Sequence, residues 1–207
     1  MQILILGASG MIGSRITAEA LSRGHKVTGT ARNPGNIDEK ANGVALDISR
    51  PDGLAGLAAA ADVVVIAISP RSTGDVSADI GQIADAIEQV IAPTGTRLIH
   101  VGGAGSMNLP DGSPVADVVP EIYRAEAQAM RKAYERLAPK GFDYTFIAPA
   151  SIIAPGARTG SYRAGGRQVL TATDGGPSTI SAEDYAIAVL DEIETGQRRG
   201  QIFQVAN

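Results

Sequence analysis

The chain contains no cysteine and no tryptophan, and only two histidines, His25 and His100. The first absence excludes disulfides, thiolate catalysis and cysteine-ligated metals, and is compatible with a cytoplasmic location, which is the expectation here. Two histidines far apart in sequence give little to build a metal centre on, so no metal site is expected. Aromatic residues make up only 4% of the chain, and no apolar run approaches the roughly 18 residues of a membrane span. The N-terminal apolar stretch is one strand long and has no charged flank, so it does not read as a signal peptide. A net charge of −4 and an isoelectric point near 5.2 argue against a nucleic-acid binder. What is left is a chain of 207 residues, 44% apolar, with a mean hydropathy of +0.05. That suits one domain spanning residues 1–207.

What is present is concentrated at the start. Ile3 to Leu6 is a fully apolar run, read as a buried strand. Glycines follow at 7, 10 and 13, within Gly7-Ala8-Ser9-Gly10-Met11-Ile12-Gly13, and helical spacing begins at Ser14. Strand, glycine turn and helix form the setting in which a glycine motif implies a bound dinucleotide. Gly7 permits the tight turn, Gly10 removes a side chain where a pyrophosphate approaches, and Gly13 lets the helix pack close to the strand. The amides opening the helix, with the positive end of its dipole, then face the phosphates.

The second strand, Lys26 to Ala31, ends in Arg32-Asn33, and no acid appears until Asp38. An acid at that place would bind the ribose 2′-hydroxyl of NAD, whereas Arg32 suits a 2′-phosphate. NADP(H) is therefore favoured over NAD(H), with NAD(H) still open. A short third strand at 44–46 leads to Asp47-Ile48, and Pro51 marks the approach to a helix that Asp47 is placed to cap. Asp62 to Ser69 reads as a buried parallel strand. Its end, Ala67-Ile68-Ser69, is expected to border the crevice where strand order reverses. Further elements are a helix over 76–92, a strand over 97–101, a turn-rich loop over 107–120, a helix over 121–137 and a strand over 142–148. His100 lies inside its strand and reads as a core histidine.

Residues 149–180 carry glycines, threonines and three arginines with little period, with short strands expected at 168–170 and 178–180. A connection that long is expected to carry function. Ser181 then caps a last helix ending near Gly196, and a final strand covers 201–205. The fold class is α/β: one Rossmann-type doubly wound domain with a mostly parallel sheet and a small cap from about 150–180.

The three-residue glycine spacing resembles that of the short-chain dehydrogenase/reductase superfamily, in particular its extended and atypical members. The usual catalytic pair there is Tyr-x-x-x-Lys, which places both side chains on one helical face. The five tyrosines, 123, 134, 144, 162 and 185, are followed four residues later by Ala127, Ala138, Ala148, Gly166 and Val189. The pair is absent. Val101-Gly102-Gly103-Ala104-Gly105-Ser106, Gly160-x-Tyr162-Arg163-x-Gly165 and Ile180-Ser181-x-x-Asp184-Tyr185-Ala186 resemble the NADH-flavin reductase group of atypical short-chain reductases, over nearly the whole chain. That group is similar to the biliverdin/flavin reductases, which also lack the pair.

The resemblance implies an NAD(P)H-dependent reductase of flavin or a quinone-like acceptor, with flavin as substrate and a monomeric or homodimeric chain. It places Asp47 and Ile48 near the adenine, the reading that stands beside the capping role of Asp47. It sets Gly102, Gly103 and Ser106 under the nicotinamide, and Pro149, Ser151 and Ile152 on the opposite wall. Ser106 is expected to bond the carboxamide or the substrate, or else to cap a turn. Arg158, Tyr162 and Arg163 are expected to meet an anionic or aromatic acceptor, or else solvent, and Tyr123 is an unassisted proton donor if it faces the pocket. Two other readings stay open. One is a non-catalytic NADP(H)-binding sensor, as in NmrA-like proteins, with 149–180 as a docking surface. The other is a sugar-nucleotide epimerase, which normally uses the missing pair.

Overall fold

The computed structural model describes residues 1–70 and 73–207. The strands are β1 Gln2–Leu6, β2 Lys26–Ala31, β3 Asn42–Ala45, β4 Val63–Ile66, β5 Arg97–Val101, β6 Tyr144–Ala148, β7 Ile152–Ala154, β8 Arg163–Ala164, β9 Thr179–Ser181 and β10 Ile202–Ala206. The α-helices are α1 Met11–Ser22, α2 Leu54–Ala59, α3 Val76–Ala86, α4 Glu121–Leu137 and α5 Ala182–Thr195. Eight strands form one sheet in the order β3-β2-β1-β4-β5-β6-β10-β8, parallel throughout except for β8. β7 and β9 pair separately. This is the doubly wound, Rossmann-like α/β architecture, and its strand order reverses between β1 and β4.

Apolar runs such as Ile3–Leu6 and Val63–Ile66 exist because both faces of a parallel sheet are covered. Successive residues point to opposite faces. Leu4, Leu6, Val64, Ile66 and Leu98 therefore pack with α2, α3 and α4, while Ile3, Ile5, Val63, Val65 and Ile99 pack with α1 and α5. His100 is 3% exposed in the first layer, its Nδ1 2.6 Å from the Tyr144 hydroxyl. It is a satisfied core residue, as its position inside β5 implies.

Several boundaries differ from the sequence reading. β3 lies at 42–45, because its pairing with Thr28 to Ala31 rather than its apolar content sets its position. β4 stops at Ile66, so Ala67–Ser69 leave the sheet. α3 ends at Ala86 and continues through a π turn, Ile87–Ile91, into a short 3-10 turn containing Pro93. α2 is capped by Gly53, not Asp47. Asp47 instead accepts hydrogen bonds from the Ser49 amide at 3.0 Å and hydroxyl at 2.8 Å. Ser181 does cap α5, accepting from the Asp184 amide at 3.0 Å.

The largest departure concerns 150–180. Residues 168–170 form no strand; Gln168 makes only an isolated bridge to Asn108. β7 with β9 is a small satellite, and β8 pairs antiparallel with β10 through Val205–Ala164 and Ala206–Arg163. Between them the chain runs as a strap along α1 and α5. Arg158 pairs with Glu19, the Tyr162 hydroxyl donates to Asp191 at 2.7 Å, and the Thr159 and Gly160 amides donate to Asp184 at 2.8 and 2.9 Å. The strap then passes the sheet edge, where Gln204 accepts from the Leu170 amide and donates to the Pro149 carbonyl.

Candidate cofactor-binding site

At the reversal point, the loops leaving β1 and β4 touch. Gly7 has φ +84°, and a Cβ there would lie 2.5 Å from the Ala67 carbonyl oxygen. That conformation and that contact both demand glycine. At Gly13 a Cβ would fall 2.1 Å from the Gly7 carbonyl, so α1 rests directly on the turn. Gly10 caps α1 without any side-chain bond, and no acid occupies the first turn. Among the described residues, nothing accepts a hydrogen bond from the amides of Met11, Ile12 and Gly13. A helix start with three open donors and no competing carboxylate is arranged for an anion.

A cleft opens beside this turn, lined by Gly7, Ser9, Gly10, Arg32, Asp47, Ile48, Ala67, Ile68 and Ser69 of the expected residues. Thr30, Ala31 and Leu46 line it too, and sequence reasoning missed them. Their signal was position: each sits at or just past the carboxyl end of a strand. The Asp47 carboxyl is held below the usual range, first by the Ser49 amide and hydroxyl, then by the nearby charges of Arg32 and Arg50. Arg50 is a fourth missed residue. Neither guanidinium makes a hydrogen bond or ion pair among the described residues; Arg32 lines the cleft, and Arg50 stands near Asp47 outside the lining.

Other expected residues stand elsewhere. Ala8 is buried, its amide donating to the Thr30 carbonyl at 3.0 Å. Gly102 and Gly103 are outside the cleft lining, and a Cβ on Gly102 would meet the Phe146 ring at 2.0 Å. Ser106 is 0% exposed and its Oγ has no partner, so it does not cap a turn. Pro149 is buried, while Ser151 and Ile152 are exposed past β6. Tyr123 is 57% exposed in the first turn of α4, and its hydroxyl makes no hydrogen bond among the described residues. Ala127 stands where a catalytic lysine would follow it. A Cβ on Gly105 would lie 2.5 Å from the Ala127 Cβ, so the loop backbone leaves no room for a longer side chain there.

The structure gives Arg158, Tyr162 and Arg163, expected to meet an acceptor or else solvent, partners within the protein. Arg158 is bound to Glu19, Tyr162 to Asp191, and Arg163 to the carbonyls of Asn207 and Thr171. Glu19 on α1, Asp191 on α5 and the carbonyls of Thr171 and Asn207 hold the strap and engage the groups that looked available for ligand. Among the described residues no cluster of His, Asp and Glu is placed to hold a metal ion, and no helix is long and apolar enough to cross a membrane.

Residues 7–195, which carry the glycine turn and the cleft, match a family model described as NAD(P)H-binding. The chain belongs to this NAD(P)H-binding family. Similar solved structures include a Burkholderia pseudomallei protein described as a candidate exported protein, 39% identical, with 100% of each chain covered and a TM-score of 0.85. A Bacteroides thetaiotaomicron protein described as a candidate epimerase is 32% identical over 99% of this chain and 96% of its own, with a TM-score of 0.89. A Streptococcus pneumoniae protein described as a candidate NADH-flavin reductase is 28% identical over 100% of this chain and 99% of its own, with a TM-score of 0.86. Membership of the NAD(P)H-binding family thus comes with neighbours of different names, and the fold alone fixes no reaction.

Proposed function

We propose that the protein is an NAD(P)H-dependent reductase of a flavin or quinone-like acceptor, working without a Tyr–Lys pair. The observation that carries this reading is the cleft itself. Three open amides at the start of α1 would hold the pyrophosphate, and Asp47, Ile48 and Leu46 would flank the adenine. Arg32, with Arg50 near it, would pair with a 2′-phosphate, which favours NADP(H). When bound, the reduced nicotinamide supplies two electrons and a proton to the acceptor and leaves oxidised, while a second proton comes from solvent. The chain's own part is to hold the two partners in register. Gly102, Gly103 and the Ser106 hydroxyl would lie on one side, and Pro149, Ser151 and Ile152 on the other. The Ser106 Oγ is fully buried without a partner and lies outside the cleft lining, so its place beside the nicotinamide rests on the sequence resemblance and not on the cleft.

The test is oxidation of NADPH and NADH with riboflavin, FMN, FAD and quinones as acceptors. Turnover with at least one of them, faster with NADPH, is expected. Tight NADPH binding with no turnover on any acceptor would overturn the reductase and leave the redox sensor in its place.

A further inference from the structure

Six large apolar side chains are exposed among the described residues: Met1, Met11, Val118, Ile122, Tyr123 and Ile152. All but Met1 lie on segments that leave the carboxyl ends of strands. Met11 opens α1 after β1, and Ile152 follows β6. Val118, Ile122 and Tyr123 sit at the entry and first turn of α4, on the crossover from β5 to β6. A parallel sheet gathers these segments at a single edge, the one that carries the cleft. Exposed apolar groups on segments that share one edge of the sheet make that edge the candidate acceptor surface.

Positive charge has the opposite distribution. Arg124 is paired with Glu121 in its own turn, and Arg131 is bound to the Met107 carbonyl, Asn108 and Glu135. Arg158 is paired with Glu19, Arg163 is bound to two carbonyls, and Arg167 lies over the Tyr134 ring. The uncommitted guanidinium groups of Arg32 and Arg50 are both at the adenosine end, beside Asp47. Arg71 lies outside the described residues.

We infer that the acceptor is taken as a neutral, flat ring system, and that no phosphate or carboxylate tail on it is gripped. This deepens the reductase reading and rests on it. A ring laid against Tyr123, Ile122 and Ile152 removes apolar surface from water and can stack on the tyrosine. Among the described residues, a phosphate carried to the same place would meet no unpaired guanidinium to repay its lost hydration.

Riboflavin and FMN differ by a phosphate alone, which makes them the probes. NADPH oxidation is followed with riboflavin, FMN and menadione, at low and at high salt. The expected result is a kcat/KM for riboflavin within about threefold of that for FMN, with little change in the ratio on adding salt. A preference of tenfold or more for FMN that salt removes would overturn the inference while leaving the reductase intact. Ile122→Ser and Tyr123→Ser supply the second measurement. Each is expected to raise the KM for riboflavin and menadione severalfold with the dissociation constant of NADPH unchanged, and an unchanged KM in both would overturn the placement. Failure of all three acceptors with NADPH still bound would sink the reductase reading itself.

Discussion

Arg158 forks across Glu19, its Nε 3.0 Å from Oε2 and its Nη2 2.9 Å from Oε1. Glu19 is 6% exposed and is also bonded by Arg23 at 2.9 Å. The bond from Arg158 is the largest influence on its carboxyl and, with Arg23, outweighs desolvation, so its pKa lies below the usual value. Such a group stabilises the fold above the ordinary carboxylate range and loses that contribution as the pH falls through its lowered pKa.

Removing the Glu19 charge is therefore expected to destabilise the protein. Glu19→Gln should cost about 1–3 kcal/mol, read as a fall in Tm at pH 7 that narrows in acid. Arg158→Met should also lower Tm while leaving the KM for riboflavin untouched. A raised KM with unaltered Tm would mean that Arg158 touches the acceptor after all.

The proposed site gives Arg32 the choice between cofactors. Arg32→Ala is expected to weaken NADPH binding by about 10- to 100-fold, as befits loss of a charge-assisted pair. NADH binding should stay within about twofold. Titration calorimetry with both nucleotides measures this, and equal losses for the two would remove the 2′-phosphate from the account.

The glycines separate into two kinds. At Gly10 a Cβ would sit 3.2 Å from the Gly7 carbonyl oxygen, whereas at Gly13 the distance is 2.1 Å. Gly10→Ala is expected to fold with a loss of about 1 kcal/mol or less, yet to bind NADPH at least tenfold more weakly. Gly13→Ala should lose about 1–3 kcal/mol or more, because the helix must move. Thermal denaturation paired with nucleotide titration distinguishes them, and normal binding by Gly10→Ala would contradict the phosphate placement.

His100 makes stability depend on pH. Burial pushes its pKa down to about 4 from an ordinary 6.5. Between those values the unfolded chain takes up a proton that the folded one refuses, so stability falls as pH drops from 6.5 to about 4. The contribution is at most about 3 kcal/mol. His100→Gln keeps a partner for Tyr144 and should flatten this part of the curve. An equally steep decline in the variant would assign the effect to other groups.

The parts of the molecule legible in the sequence are those whose causes are local. β2, β5 and α4 lie where periodicity put them, and the glycine turn announced itself through a strand before it and a helix after it. Nine expected residues line the cleft because they occupy strand ends, which a βαβ order brings together. The strap was opaque for a physical reason. Arg158 and Glu19 are 139 residues apart, and nothing near Arg158 signals a buried carboxylate waiting on α1. β8 is a strand only because β10 offers it an edge; Arg163–Ala164 has no strand pattern of its own. Ser106 is a subtler case. Its neighbourhood was readable, but its complete burial follows from α4 closing over Gly105.

The missing Cβ at Gly13 leaves the first helix seated on the turn with no slack between them. Sliding or tilting there is blocked by backbone against backbone, so the phosphate cradle stands ready before any nucleotide arrives. On the proposed reading, any adjustment during turnover would fall to the segments around the acceptor, with the dinucleotide half as the fixed anvil.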